Sequence, residues 1–219
     1  MPPRKKKSSY ERKTASVSAE HTTIIGSGLT REQEVSDTLE TNFMPYAMSV
    51  IISRAIPEID GFKPAHRKLL YTMFTMGLLG NTRTKSANIV GQTMKLNPHG
   101  DAAIYDTMVR LTRGNGALLH PYVDSKGNFG KAFSRDTQAA AARYTEAKLE
   151  KIAAELFRDI DKDTVDFVDN YDNTMPEPTL LPVTYPSVLV NANTGIAVGM
   201  ASSICSFNLT EVCETAAAL

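Results

Sequence analysis

Tyr144 follows Arg143 inside the run AAAARYTEAKLEKIAAELFRDI, whose composition predicts a helix starting near Thr145. Leu149, Ile152, Ala153 and Leu156 would form the apolar stripe of that helix. Tyr144 lines up instead with Lys148, Lys151 and Glu155, away from the core and beside cations. With Thr145 as N-cap, Tyr144 would stand just ahead of a helix N-terminus, where unpaired N–H groups and the helix dipole favour a phosphate. Arg143 adds a planar, bidentate phosphate ligand. A tyrosine phenol ordinarily titrates near ~10 and is mostly protonated at neutral pH. Neighbouring cations favour the phenolate and stabilise charge building on phosphoryl oxygens, which together equip a tyrosine to attack a phosphodiester. Taken alone, the dipeptide fits a plain surface tyrosine better.

The elements that must position this pair can be read upstream. Phe43, Tyr46, Ala47, Val50 and Ile51 recur at helical spacing within a helix expected over residues 34–54. Pro57 and Gly61 break the chain, and Pro64 opens a second helix expected to run to Gly80. A third is expected over residues 86–95, followed by the turn Asn97-Pro98-His99-Gly100. Asp101 is the expected N-cap of a fourth helix, DAAIYDTMVRLTR. Ile104, Met108 and Leu111 would be its buried stripe, with Ala102, Asp106, Arg110 and Arg113 on the opposite face. Helix, tight glycine turn and helix with outward arginines make a helix-turn-helix pattern. The glycine-rich stretch 114–130, with short strands expected around HPYV and NFG, would supply a hairpin wing.

Charge supports a local polyanion surface. Lys plus Arg and Asp plus Glu are each 24 among 219 residues, so the net charge is zero and bulk cationic binding is excluded. The charge is nevertheless segregated. Residues 54–148 hold fourteen basic and seven acidic groups, whereas residues 149–219 hold three and eleven. Residues 1–13 carry a basic run, and residues 14–53 are net acidic. A hydrophobic content of 42% and 22% charged residues reads as globular, with no apolar run long enough to span a bilayer and no secretory signal. Cys205 and Cys213 match no metal-ligand spacing, consistent with a reduced cytoplasmic location. Residues 1–30 lack periodicity and read as a disordered arm whose KKK run fits a solvated tail better than a contact to DNA phosphates. Beyond the Tyr144 helix, residues 163–172 alternate as a strand, SVLVNANTGIAVGMAS reads as β-structure with glycine kinks, and Asn208 with Glu211 makes a capping box for a last helix. That helix still runs at Leu219, so the chain reads as a fragment cut inside a second domain.

Eight segments in one order carry a resemblance through most of residues 36–219: YAMSVIISRAIP, GFKPAHRKLLYTM, NPHGDAAIYDTMVRL, GNFG, AAARYTE, TVDFVDNYD, NTGIAVGMAS and NLTEV. Together they resemble the A subunit of bacterial type IIA DNA topoisomerases, the gyrase or topoisomerase IV family. The resemblance implies an α+β fold. A disordered arm (1–33) would precede a winged-helix DNA-cleavage domain (34–164) and the beginning of an α/β tower domain (165–219). It implies that Tyr144 forms a transient 5′-phosphotyrosyl link to DNA with Arg143 as its partner. Arg54, Arg67 and His99 would position the phosphate or backbone, and Lys63, Lys68, Lys85, Asp101, Ala102, Asp106 and Arg110 would face DNA. Ile196 would enter a base step as a wedge, although by its own context it reads as a buried strand residue. It further implies an A2B2 assembly in which the B subunit holds most of the Mg²⁺ and the ATP, docking on the helix that begins at Glu34. The protein would act near the nucleoid.

This sequence departs from the family at three places. Asn97 replaces one of two histidines, Lys68 stands where Arg is common, and Ala102 replaces the serine tied to quinolone binding, which predicts weakened drug trapping. Two other classes fit parts of the pattern: a winged-helix regulator without chemistry, and a tyrosine recombinase, whose additional catalytic Arg and His have no evident arrangement here.

Overall fold

A computed structural model describes residues 22–25, 28–80, 82–115, 118–131 and 138–219, with backbone only for residues 22–31. The chain forms two compact units, Met1–Pro45 and Tyr46–Leu219. In the first, β-branched residues favour extended backbone, and strands β1 (Thr22–Ile25) and β2 (Gly28–Arg31) pair antiparallel with Thr22 opposite Arg31. This hairpin replaces the expected unstructured stretch there; the KKK run lies outside the described residues.

Helix α1 spans Val35–Val50 and carries Pro45 inside it. Where residues 51–54 were expected to continue it, the chain widens into a π-helical turn, Ile51–Ala55, closed by Ile56 N–H donating to Ile51 O at 3.2 Å. Such wide turns recur at functional sites, and Arg54 sits on this one.

Helix α2 (Pro64–Thr75) opens on proline at its first position, as expected, but ends five residues before Gly80. Gly77 takes φ 71° while its N–H donates to Phe74 O and that of Leu78 to Met73 O, the paired bonds of a Schellman stop. Helices α3 (Ser86–Thr93) and α4 (Asp101–Arg110) follow where the periodicity placed them. Gly100, not Asp101, is the N-cap of α4; Asp101 occupies the first turn, its carboxylate accepting from Ala102 N at 2.9 Å. Ile104, Met108 and Leu111 are buried as the stripe required.

The largest departure lies around Tyr144. No helix starts at Thr145. Residues 146–149 form strand β5 (Glu146–Leu149), the middle strand of an antiparallel sheet between β3 (Thr84–Lys85) and β4 (Val123–Lys126). Ala, Glu, Lys and Leu favour a helix, but Thr145, Ala147 and Leu149 alternate into the core at period two. Pairing on both edges overrides propensity. The strand expected in HPYV is shifted to β4, and its partner is β5, not NFG. Helical structure resumes only as a 3₁₀ turn, Lys151–Ala153, and α5 (Ala154–Phe157).

One core joins α2, α3, α4, β4, β5 and α5 through residues such as Leu69, Met73, Ile89, Met108, Val123 and Leu156, and Leu181 reaches it from the later chain. The expected strand at 163–172 shrinks to β6 (Phe167–Asp169), paired with β7 (Pro176–Pro178). Ser187–Val190, expected as β, is instead a helical turn, α6. The hairpin of β8 (Asn193–Ile196) and β9 (Ala201–Ile204) follows, then α7 (Leu209–Ala218), capped by Asn208 Oδ1 accepting from Thr210 N and Glu211 N.

Candidate functional site

Tyr144 sits in a tight turn over residues 142–144, one residue before β5, and is 66% exposed. The turn is tied down on both sides. The first two N–H groups of α3, Ser86 and Ala87, donate to Thr145 O at 3.0 Å and Ala142 O at 3.1 Å. These carbonyls satisfy donors that a helix start leaves free. On the other side the Tyr105 hydroxyl of α4 donates to Ala140 O at 2.7 Å and lies 3.0 Å from Thr145 Oγ1. Thr145 is therefore a buried anchor and not the expected cap. Lys148 pairs with Asp124 at 3.7 Å across the sheet, and Lys151 lies beyond the strand, so neither is the helical neighbour that the spacing suggested. The cation at Tyr144 is Arg143, whose Cζ lies 4.8 Å from the ring centroid, within cation–π range.

Arg143 lines a cleft of about 430 Å³ with Asp101, Ala102 and Tyr105 of α4 and with the α3 residues Val90 and Gly91. Helix α4 presents Ala102, Asp106 and Arg110 to solvent. Arg110 also lines a second cavity, of about 300 Å³, with Lys63, His66 and Thr194. There Lys63 Nζ donates to Thr194 O at 2.7 Å, and burial with the nearby Arg110 charge holds its pKa below the usual lysine value. Burial pushes the His66 pKa down to about 4, assisted by Lys63, Arg110 and Arg67, so this imidazole is neutral at pH 7.

The β8–β9 hairpin seats itself on the π-turn. A Cβ added to Gly195 would lie 1.9 Å from Ala55 O, so only glycine permits the approach. This close seating brings Ile196, 88% exposed at the end of β8, next to the segment carrying exposed Arg54.

Arg67 is drawn into the interior. It is 6% exposed, and its Nε and Nη2 donate to Asp60 at 2.7 and 2.9 Å while Nη2 also reaches Phe62 O. The buried Asp60 carboxylate accepts in addition from Phe62 N and Leu181 N, and Ser187 Oγ donates to Asp60 O. The pair is a structural knot between α2 and the chain leading to β8. Lys68 is similarly engaged: Nζ donates to Leu96 O at 2.8 Å and pairs with Glu177 at 3.1 Å. With Asn170 Nδ2 donating to Lys95 O, it holds the loop that presents exposed His99, beside buried Asn97. Lys85 pairs with Glu146 at 2.9 Å. Among the described residues no hydrogen bond, ion pair or ring contact joins Tyr144 to His99, Arg54 or Arg67.

Sequence reading missed Asp60, Ser86, Tyr105 and the hydroxyl of Thr145. The alternation of Thr145, Ala147 and Leu149 was the one signal that could have found the last. Among the described residues no group of three or more His, Cys, Asp or Glu is placed to hold a metal ion. No described helix is long and apolar enough to cross a membrane, and Cys205 and Cys213 are free thiols.

The architecture is a small α+β module in which helices and short antiparallel sheets hold an exposed Arg–Tyr turn beside clefts lined by cations. The chain belongs to the family of DNA gyrase and topoisomerase IV A subunits, whose model matches residues 54–219. It is 49% identical over 190 residues, 85% of its length, to the DNA gyrase A subunit of Dehalogenimonas lykanthroporepellens. It is 52% identical over 183 residues, 82% of its length, to that of Mycoplasma pneumoniae, and 48% over 185 residues, 83% of its length, to that of Staphylococcus aureus. The matched chain spans 23%, 22% and 20% of those three relatives.

Proposed function

We propose that this chain is the DNA-cleaving and religating part of a type IIA topoisomerase. The observation that carries the proposal is the exposed Tyr144 ring under the Arg143 guanidinium, on a turn anchored to two helices, in a member of this family. The Tyr144 oxygen attacks a backbone phosphorus and gives up its proton to a base. The P–O3′ bond breaks, and the leaving 3′ oxygen takes up a proton. The 5′ end remains esterified to the phenol. One phosphodiester replaces another, so the reverse attack reseals the strand without an external energy source. Arg143 supplies positive charge and a planar fork at the phosphoryl oxygens.

Arg54 and His99 contact the DNA backbone, as do Lys63, Lys85 and Arg110. Ala102 and Asp106 on α4 lie along the duplex, with Asp101 at the start of that helix. Ile196 unstacks a base step from its exposed hairpin tip, a bend that wraps more protein surface. Arg67 and Lys68 act through the positions they hold. The order α2–β3–α3–α4–β4–β5, with β5 between β3 and β4, supports a winged helix over residues 34–164 whose wing is β4–β5. Residues 165–219 begin a tower domain. The exposed apolar residues Leu39, Phe43 and Met44 of α1 support docking of a B subunit, which supplies Mg²⁺ and ATP in an A2B2 assembly near the nucleoid. Paired cleavage then lets a second duplex pass, changing supercoiling or linkage.

The test combines the chain with a gyrase B subunit, Mg²⁺ and duplex DNA, followed by detergent quenching. Protein-linked DNA 5′ ends are expected, and Tyr144→Phe removes them. Adducts that persist in Tyr144→Phe overturn the nucleophile assignment. Salt-sensitive DNA binding with no adduct identifies a docking module without chemistry.

A further inference from the structure

The Tyr144 turn is held by a buried hydroxyl network that the cleavage chemistry does not itself require. Thr145 is 1% exposed and Ser86 is fully buried, and Thr145 Oγ1 donates to Ser86 Oγ at 2.8 Å. The same Oγ1 lies 3.0 Å from the Tyr105 hydroxyl, which donates to Ala140 O at 2.7 Å. These three side chains come from the start of α3, the middle of α4 and the residue that follows Tyr144. Together with Ser86 N–H to Thr145 O and Ala87 N–H to Ala142 O, they fix the backbone on each side of a turn whose two outer residues, Arg143 and Tyr144, are exposed. Hydrophobic burial alone would serve the core equally well with valine at 145, which has the same shape. A hydroxyl there, facing two other buried or half-buried hydroxyls, adds direction to the packing.

We infer that Thr145, with Ser86 and Tyr105, is a positioning residue that sets the orientation of the Tyr144 phenol through the turn's backbone. This inference rests on the proposed role of Tyr144. The phenol oxygen lies at the far end of a long side chain, so a small backbone rotation at residue 144 is magnified where the bond forms. Misplacement of a reacting group by about 1 Å is enough for a loss on the order of 100-fold.

The experiment measures covalent adduct formation in single turnover, with DNA concentration varied, for the unchanged chain and for Thr145→Val, Thr145→Ser and Tyr105→Phe. Each is assembled with a gyrase B subunit and Mg²⁺. Thermal melting of each variant is measured separately, and reactions run well below the lowest midpoint. Thr145→Val is expected to slow adduct formation about 10- to 100-fold with the half-saturating DNA concentration unchanged within about twofold. Thr145→Ser restores the hydroxyl and most of the rate, and Tyr105→Phe, which keeps the ring, gives an intermediate loss. A purely structural role would lower the melting midpoint of Thr145→Val and leave its rate intact below that midpoint. That outcome, or a Thr145→Ser variant as slow as Thr145→Val, overturns the inference while leaving Tyr144 as nucleophile. Absence of adduct from the unchanged chain overturns the function and this inference with it. If Thr145→Val fails to fold, the rate of Tyr105→Phe decides: no loss overturns the proposal, and a loss at unchanged DNA half-saturation supports it.

Discussion

Removing the Asp60 carboxylate tests whether Arg67 holds the fold or holds DNA. Asp60 is fully buried and accepts from Arg67 Nε and Nη2 at 2.7 and 2.9 Å and from Phe62 N and Leu181 N at 3.0 Å. Asp60→Ala leaves the buried guanidinium with Phe62 O as its remaining acceptor and strips the Phe62 and Leu181 N–H groups of theirs. Breaking one side of a buried pair costs about 3–5 kcal/mol, a large part of the roughly 5–15 kcal/mol that keeps a domain folded. At a urea slope near ~2 kcal/mol per molar, the midpoint falls by about 2 M.

The companion variant Asp60→Asn/Arg67→Met removes both charges and keeps one acceptor for the neighbouring N–H groups. Because a buried pair replaced by well-packed neutral groups is often near neutral in stability, this double variant recovers about 2 kcal/mol or more of the loss. Binding of the double variant to duplex DNA is then followed against salt. A lost phosphate contact lowers the slope of log affinity on log salt by about 0.9. We expect no change in slope. A slope reduced by about one contact, or a double variant no more stable than Asp60→Ala, refutes the structural assignment of Arg67.

Gly195→Ala places a methyl group against Ala55 O, a backbone atom that cannot swing aside. Chemical denaturation should show a loss of about 3 kcal/mol or more, since overpacking here displaces a whole hairpin. The His66 pKa is depressed in the folded state, so below pH 6.5 the unfolded chain takes up a proton that the folded one refuses. The His66 contribution to stability is therefore flat above that pH and falls by about 3 kcal/mol as pH drops toward 4. Urea melts at pH 7 and pH 4.5 should diverge, and His66→Gln should remove most of the divergence. Ala102 lines the cleft beside Arg143. Ala102→Ser should lower the quinolone concentration needed to trap cleavage complexes, and an unchanged concentration refutes the missing-hydroxyl argument.

Helices α2, α3 and α4 were legible because their buried residues recur at helical spacing, and Pro64 and Asn208 mark helix starts by local chemistry alone. The run after Tyr144 misled for a physical reason. Its residues are good helix formers, and the strand emerges only when β3 and β4, drawn from separate upstream segments, close on both edges. Tyr144 is exposed, as its separation from the apolar stripe suggested, whereas Ile196, whose own context reads as a buried strand residue, stands exposed. The partner of Arg67 could not be read, since nothing in its own helix reveals an Asp60 brought alongside by the Gly61 turn, where a Cβ would meet Val188 N at 2.8 Å. The partner of Lys68 was hidden in the same way, because Glu177 arrives from a hairpin far later in the chain.

Strand β5 has neighbours on both sides, and Tyr144 is attached to its leading end. An edge strand can peel away under load, whereas a central one yields only when the sheet as a whole gives way. Tension applied to the exposed ring therefore reaches the least extensible part of the unit first. Amide protons of Ala147 and Leu149 should consequently exchange as slowly as any in the molecule, a rigid mooring for a side chain that faces open water.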